Sequence, residues 1–246
     1  MEHIELSADE PPVSARRNVG WLLRSTARTW PDQLAIAFPT GRDRRGKRTY
    51  RRVSFAELDR MSDRIAQGLR DAGLEPGTRV AMMVPQSIEF ISIVFALFKA
   101  GLVQILIDPG MGKRNMLRCL AEAEPRALIG IPKAHFATWL FGRRFPLLKK
   151  RICVGAPRFP GSVSLATWLG DDRLATSTDD PTAYLEPVGD RSEAAIIFTT
   201  GSTGPPKGVL YHHATFRGQA MEVQRFYDIA PGEIDLPGFP LFALFN

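Results

Sequence analysis

Residues Thr199-Thr-Gly-Ser-Thr-Gly-Pro-Pro-Lys207 gather four hydroxyls, two glycines, two prolines and a lysine into one short stretch. Thr199, Thr200, Ser202 and Thr203 offer hydroxyl donors, and Gly201 and Gly204 let the backbone turn so that its N–H groups approach a ligand closely. Lys207 adds a cation at a distance restricted by Pro205 and Pro206. A set of donors with no fixed negative charge suits a polyphosphate. The pattern differs from the phosphate loop G-x-x-x-x-G-K-[ST], because Pro206 stands where its second glycine belongs and Gly208 where its hydroxyl belongs. A turn without function is the ordinary reading of Gly/Ser/Thr residues. The lysine, the prolines and the apolar run Ala195-Ile-Ile-Phe198 just before them argue against it here.

Positioning such a loop requires a sheet, and the chain alternates strand-like and helix-like segments. Asn18 to Trp30 has helical spacing and stops at Pro31, and Gln33 to Phe38 is extended. Ser54-Phe-Ala-Glu57 has the form of a capping box, and the helix it opens carries Phe55, Leu58, Met61, Ile65 and Leu69 at intervals of three and four, ending at Gly73. Strands follow over 79–84, 103–107, 127–131 and 152–154, with helices over 87–101 and 113–123. Val209 to Tyr211 is again extended, and Ala214 to Tyr227 helical. Strands alternating with helices of ten or more residues predict an α/β fold with a largely parallel sheet, whose ligands collect at the carboxyl ends of strands.

With 44% apolar residues in 246, a sizeable core is expected. The two cysteines, Cys119 and Cys153, have no metal-ligand spacing, so a reducing cytoplasm is the expected setting. The N-terminus is polar and acidic, unlike a secretory signal, and Phe90 to Phe98 is too short to span a bilayer. A net charge of +6 comes largely from the clusters 42–52 and 143–151. The first sits between two strands, as a hairpin loop would. The second is interleaved with Phe145, Leu147 and Leu148, a pattern open to a membrane surface or a partner as well as to a solvated loop. No helix-turn-helix, zinc spacing or aromatic-basic stripe points to nucleic acid.

TTGSTGPPKG resembles the phosphate loop of the adenylate-forming superfamily of acyl-CoA synthetases, luciferases and nonribosomal peptide adenylation domains. Val53-Ser-Phe-Ala-Glu-Leu58 is similar to that family's early helix start, and Leu97-Phe-Lys-Ala-Gly-Leu-Val-Gln-Ile-Leu-Ile-Asp108 to another of its segments. The resemblance implies the N-terminal part of a large adenylate-forming domain, incomplete here, with mostly parallel sheets flanked by helices. On this reading 1–169 is a first α/β sub-region, 170–190 a polar connection and 191–246 the start of a second sub-region. The apolar run at 236–246 has no closing turn, which predicts a longer parent protein whose C-terminal domain is absent here.

The resemblance also implies ATP with Mg2+, and phosphate contacts from Thr199, Thr200, Gly201, Ser202, Thr203, Gly204 and Lys207. Lys207 is the one candidate for a catalytic role; the family's other catalytic residues and its metal-binding glutamate lie beyond residue 246. His213 matches a family histidine, read here as a helix-start residue, and His212 is expected to be solvated. Ala243 stands where many acyl-CoA synthetases carry a gate histidine. Phe242 joins it as a candidate for an acyl pocket, although Phe239, Phe242 and Phe245 at intervals of three cannot all share one strand face. Among subgroups, the chain resembles the β-lactone synthetases of bacterial long-chain olefin biosynthesis. That implies a 2-alkyl-3-hydroxy fatty acid substrate and assembly with other enzymes of the same process. Long-chain acyl-CoA ligase, acyl-AMP ligase and a non-catalytic binding module remain the alternatives.

Overall fold

A computed structural model describes residues 12–171, 180, 182–199 and 206–236. Short α1 (Val13–Arg17) and α2 (Gly20–Thr29) precede an antiparallel hairpin of β1 (Leu34–Arg42) and β2 (Arg48–Ser54). Next come α3 (Phe55–Asp71), β3 (Arg79–Met83), α4 (Ile88–Lys99), β4 (Val103–Ile107), α5 (Lys113–Glu122), β5 (Ala127–Gly130) and α6 (Pro132–Leu140). The chain continues through β6 (Lys150–Cys153), β7 (Val163–Ser164), α7 (Leu165–Leu169), β8 (Glu193–Thr199), β9 (Lys207–His212) and α8 (His213–Phe226). Seven strands form one sheet in the order β7-β6-β5-β3-β4-β8-β9. Every neighbouring pair is parallel except β8 and β9.

Alternate strand residues point to opposite faces, and each face has its own core. Val80, Met82, Leu106, Ile129 and Ile197 meet α3, α4 and α7, whereas Ala81, Ile105, Leu128, Ile196 and Phe198 meet Leu117 and Leu120 of α5. Burying each such aliphatic side chain stabilises the fold by about 2 kcal/mol. Gly68 brings α7 close to α3: a Cβ there would lie 2.4 Å from the Trp168 indole. Both α3 and α4 stop at a glycine with positive φ, Gly73 and Gly101. Leu74 then donates to the Leu69 carbonyl and Leu102 to that of Leu97, satisfying the last turns.

Three expectations need correction. The helix expected from Asn18 starts at Gly20, because Asn18 is extended and donates from Nδ2 to the Phe98 and Glu186 carbonyls while its Oδ1 accepts from the Gly20 amide. Only half of the capping box forms: Ser54 Oγ accepts from the Glu57 amide at 3.2 Å, but the Glu57 carboxylate lies 3.7 Å from Arg51 instead of turning back. The basic cluster at 42–52 occupies the facing ends of β1 and β2 as well as the loop between them.

The sheet face bearing α3 and α4 encloses charge. Lys99 is fully buried, with Nζ 2.6 Å from both Asp59 Oδ1 and Asp63 Oδ1, and it donates to the Asp59 carbonyl. Arg24 closes the group, its Nε 2.8 Å from Asp59 Oδ2 and its guanidinium 2.6 Å from Asp63 Oδ2. Two cations and two anions thus neutralise one another. Burial still pushes the Asp63 carboxyl above the usual carboxylate range, against the pull of Lys99 and Arg24.

Candidate functional site at the carboxyl edge of the sheet

β8 runs parallel to β4 and pairs antiparallel with β9, so the end of β8 and the start of β9 lie together at the carboxyl edge of the parallel strands. Thr199 and Lys207 are cross-strand partners, which places the lysine opposite the first threonine. Lys207 is exposed. Gly208, paired with Phe198, is closely packed, since a Cβ there would lie 3.1 Å from the Phe198 ring and the ring would have to give. That close packing fixes the return strand directly behind the lysine.

Ile107 pairs with Phe198, so the chain after β4 leaves the sheet at the same edge. Asp108 begins that segment, its Oδ1 accepting from the Gly110 amide at 2.7 Å. Gly112, at φ 83°, then leads into α5. The edge therefore carries Lys207 at the start of β9 and, beyond the intervening β8, Asp108 just after β4. The carboxyl ends of parallel strands are where α/β sheets bind ligands.

Thr200, Gly201, Ser202, Thr203 and Gly204 lie outside the described residues, as do Phe242 and Ala243. The backbone of Thr199 is placed within β8. Of the candidate loop, the structure thus brings together its two ends. No group of three or more His, Cys, Asp or Glu side chains among the described residues is arranged to hold a metal. Asp108 alone is a poor magnesium site, and no chemistry is assigned to a protein-bound metal here.

His213 starts α8, as expected, but its side chain does not cap that helix. Fully buried, it accepts the Val19 amide on Nδ1 at 3.1 Å, and its ring meets Phe98 edge to face. Burial, with a smaller push from Arg217, lowers its pKa to about 4. A neutral imidazole is what that acceptor role requires. His212 is half-buried, contrary to the expectation of a solvated side chain. His213 had no sequence signal for this long-range role, because Val19 lies 194 positions away.

Comparison with known proteins agrees with this architecture. The chain is 45% identical over 230 residues to an olefin beta-lactone synthetase from Xanthomonas campestris pv. campestris, a match covering 93% of this chain and 40% of that relative. An olefin beta-lactone synthetase from Stenotrophomonas maltophilia is 39% identical over 231 residues, covering 93% and 41%. The chain therefore spans about 40% of the length of these relatives. A solved long-chain-fatty-acid-CoA ligase from Archaeoglobus fulgidus superposes with a TM-score of 0.74 at 18% identity, over 92% of this chain and 42% of that one, a likeness of fold. The sequence profile of the AMP-binding enzymes matches residues 23–236, and the chain belongs to that family of adenylate-forming enzymes.

Proposed function

We propose that the full-length polypeptide converts a 2-alkyl-3-hydroxy fatty acid to a β-lactone at the expense of ATP. The observation that carries this reading is the pairing of Thr199 with Lys207 at the carboxyl edge of the sheet, which supports phosphate binding by the hydroxyl-rich sequence 199–207. ATP is the substrate that supplies the electrophilic α-phosphorus, with Mg2+ accompanying its phosphates. The acid's carboxylate oxygen forms the new bond to that phosphorus as pyrophosphate departs. Charge grows on the bridging and leaving oxygens, and donors aimed there in advance lower the barrier.

Lys207, with the hydroxyls and amides of Thr199, Thr200, Gly201, Ser202, Thr203 and Gly204, is assigned to the β- and γ-phosphates. In the second step the substrate's own β-hydroxyl oxygen bonds to the acyl carbon. AMP leaves with the electrons of the broken C–O bond, and the hydroxyl proton is released. Attack from within the same molecule gains from a nucleophile already beside the carbonyl, although ring strain opposes closure. No thiol is required, which agrees with Ala243 at the position of the gate histidine. The 45% identical relative named for this activity supports the narrower reading over a general acyl ligase.

Incubation of the full-length polypeptide with Mg-ATP and a 2-alkyl-3-hydroxy fatty acid, with and without coenzyme A, tests the assignment. Pyrophosphate and lactone are expected without coenzyme A. A thioester that forms only in its presence would make this an acyl-CoA ligase instead.

A further inference from the structure

α6 exposes an apolar face that nothing among the described residues covers. Ala134, His135 and Thr138 face the sheet, while Phe136, Trp139 and Leu140 are 54%, 61% and 59% exposed. Phe141 extends the patch at 41%, and the rings of Phe136 and Trp139 lie 5.9 Å apart. Large aromatic residues exposed side by side mark a contact surface more strongly than scattered ones.

Charge borders this patch on both sides and has a single sign. Lys133 precedes the aromatic residues, and Arg143 and Arg144 follow them, all exposed. Arg144 lies 5.8 Å from the centre of the Phe141 ring, so its guanidinium is held at the rim of the apolar surface. From residue 125 to residue 170 the sequence has eight Lys or Arg residues and no Asp or Glu. Two carboxylates do approach from outside that stretch: Glu75 and Glu124 line a cleft with Leu147, which limits the contact to the Phe136–Arg144 side.

We propose that α6 and the turn after it dock this protein on the surface of an anionic phospholipid bilayer. Tryptophan and phenylalanine settle where apolar and wet layers meet, while arginine and lysine reach the phosphates above them. An evenly basic border suits a uniformly negative surface, where a protein partner would call for charges matched one by one. With nine residues, α6 is about 14 Å long, too short to cross the roughly 30 Å hydrocarbon layer and suited to lying along it. It packs on β5 and β6, and β3 and β4 separate β5 from β8. Docking through α6 therefore engages a different part of the sheet from the β8–β9 pair that carries Thr199 and Lys207. This surface does not depend on which acid the enzyme activates.

Flotation of the full-length polypeptide with vesicles of phosphatidylcholine and phosphatidylglycerol, compared with pure phosphatidylcholine, tests the proposal. Binding is expected only with the anionic lipid and is expected to weaken as salt rises. Arg143→Ala with Arg144→Ala, both in an exposed turn, should lower binding by roughly 10- to 30-fold. Phe136→Ser with Trp139→Ser should lower it comparably, and Arg44→Ala with Arg45→Ala, in the distant hairpin, should leave it unchanged. Failure to bind anionic vesicles at low salt would overturn the proposal, as would unaltered binding by the Arg143/Arg144 variant. A dimer of the wild type that the Phe136/Trp139 variant disperses, without any vesicle binding, would assign the face to a second copy instead.

Discussion

The imidazole of His213 holds the backbone amide of Val19 at 3.1 Å, joining the first residue of α8 to the start of α2. Both groups are buried. The Gly20 amide beside it is taken by Asn18, so two buried amides of this helix start are satisfied by side chains. Replacing His213 with alanine leaves the Val19 N–H in the core without its acceptor. A loss of about 1–3 kcal/mol in unfolding free energy is expected, read by urea denaturation. A variant as stable as the wild type would show that the bond contributes nothing net.

The same histidine makes stability depend on pH in a definite direction. Its folded pKa, about 4, lies below the ordinary 6.5, so protonation favours the unfolded chain. Its contribution is complete above pH 6.5, declines as pH falls from there and is exhausted near pH 4. Over that window the wild type should lose about 3 kcal/mol relative to His213→Asn, which cannot titrate. Parallel stability profiles for the two proteins between pH 7 and pH 4 would contradict this.

Gly68→Ala should strain the contact between α3 and α7. The added methyl would stand 2.4–2.7 Å from three atoms of the Trp168 indole, close to its attachment rather than at a flexible tip. Either helix must move, at a cost of about 1–3 kcal/mol. Thermal unfolding checks the cost, and a changed Trp168 fluorescence would show where the strain goes. An unchanged melting temperature would mean that α7 shifts freely.

Much of this architecture was legible in the sequence for a simple reason. Short apolar runs such as Val103–Ile107 and Ala195–Phe198 are buried on both faces of a parallel sheet, and the helices between them have one apolar stripe. Helix α6 escaped notice because it carries apolar residues on its exposed side as well as its buried one, which erases the period. α7 and β7 are too brief to show a period at all. Lys99 reads as a boundary charge at the end of α4, and Asp59 and Asp63 as the polar side of α3. Only the packing of α2, α3 and α4 reveals that these charges face one another. At the candidate site, residue types pointed to phosphate binding as the proposal, but the partnership of Thr199 with Lys207 required the β8–β9 register.

Lys207 separates binding chemistry from folding. It is exposed, so Lys207→Ala should leave the melting temperature unchanged. If its ammonium stabilises the charge on the departing phosphates, pyrophosphate release by the full-length polypeptide should fall by roughly 10- to 1000-fold. A fall in kcat with little change in the KM for ATP would place its contact in the transition state, and a rise in KM alone would make it a binding group. Full activity in the variant would remove Lys207 from the site.

The charge group around Lys99 gives the largest expected effect. Lys99→Met removes the cation that touches both Asp59 and Asp63 at 2.6 Å and leaves two carboxylates with Arg24 alone. Taking one member from a buried ionic group costs about 3–5 kcal/mol, because the remaining charges have already lost their water. The Asp63 carboxyl, already raised by burial, would rise further without Lys99 and take up a proton, which softens the penalty as pH falls. Adding Asp63→Asn to Lys99→Met should therefore recover part of the loss, since Arg24 and Asp59 then remain as a balanced pair. Urea unfolding of the two single variants and the double variant, at neutral and mildly acidic pH, measures that coupling. Strictly additive losses would mean that the four side chains act independently despite their contacts.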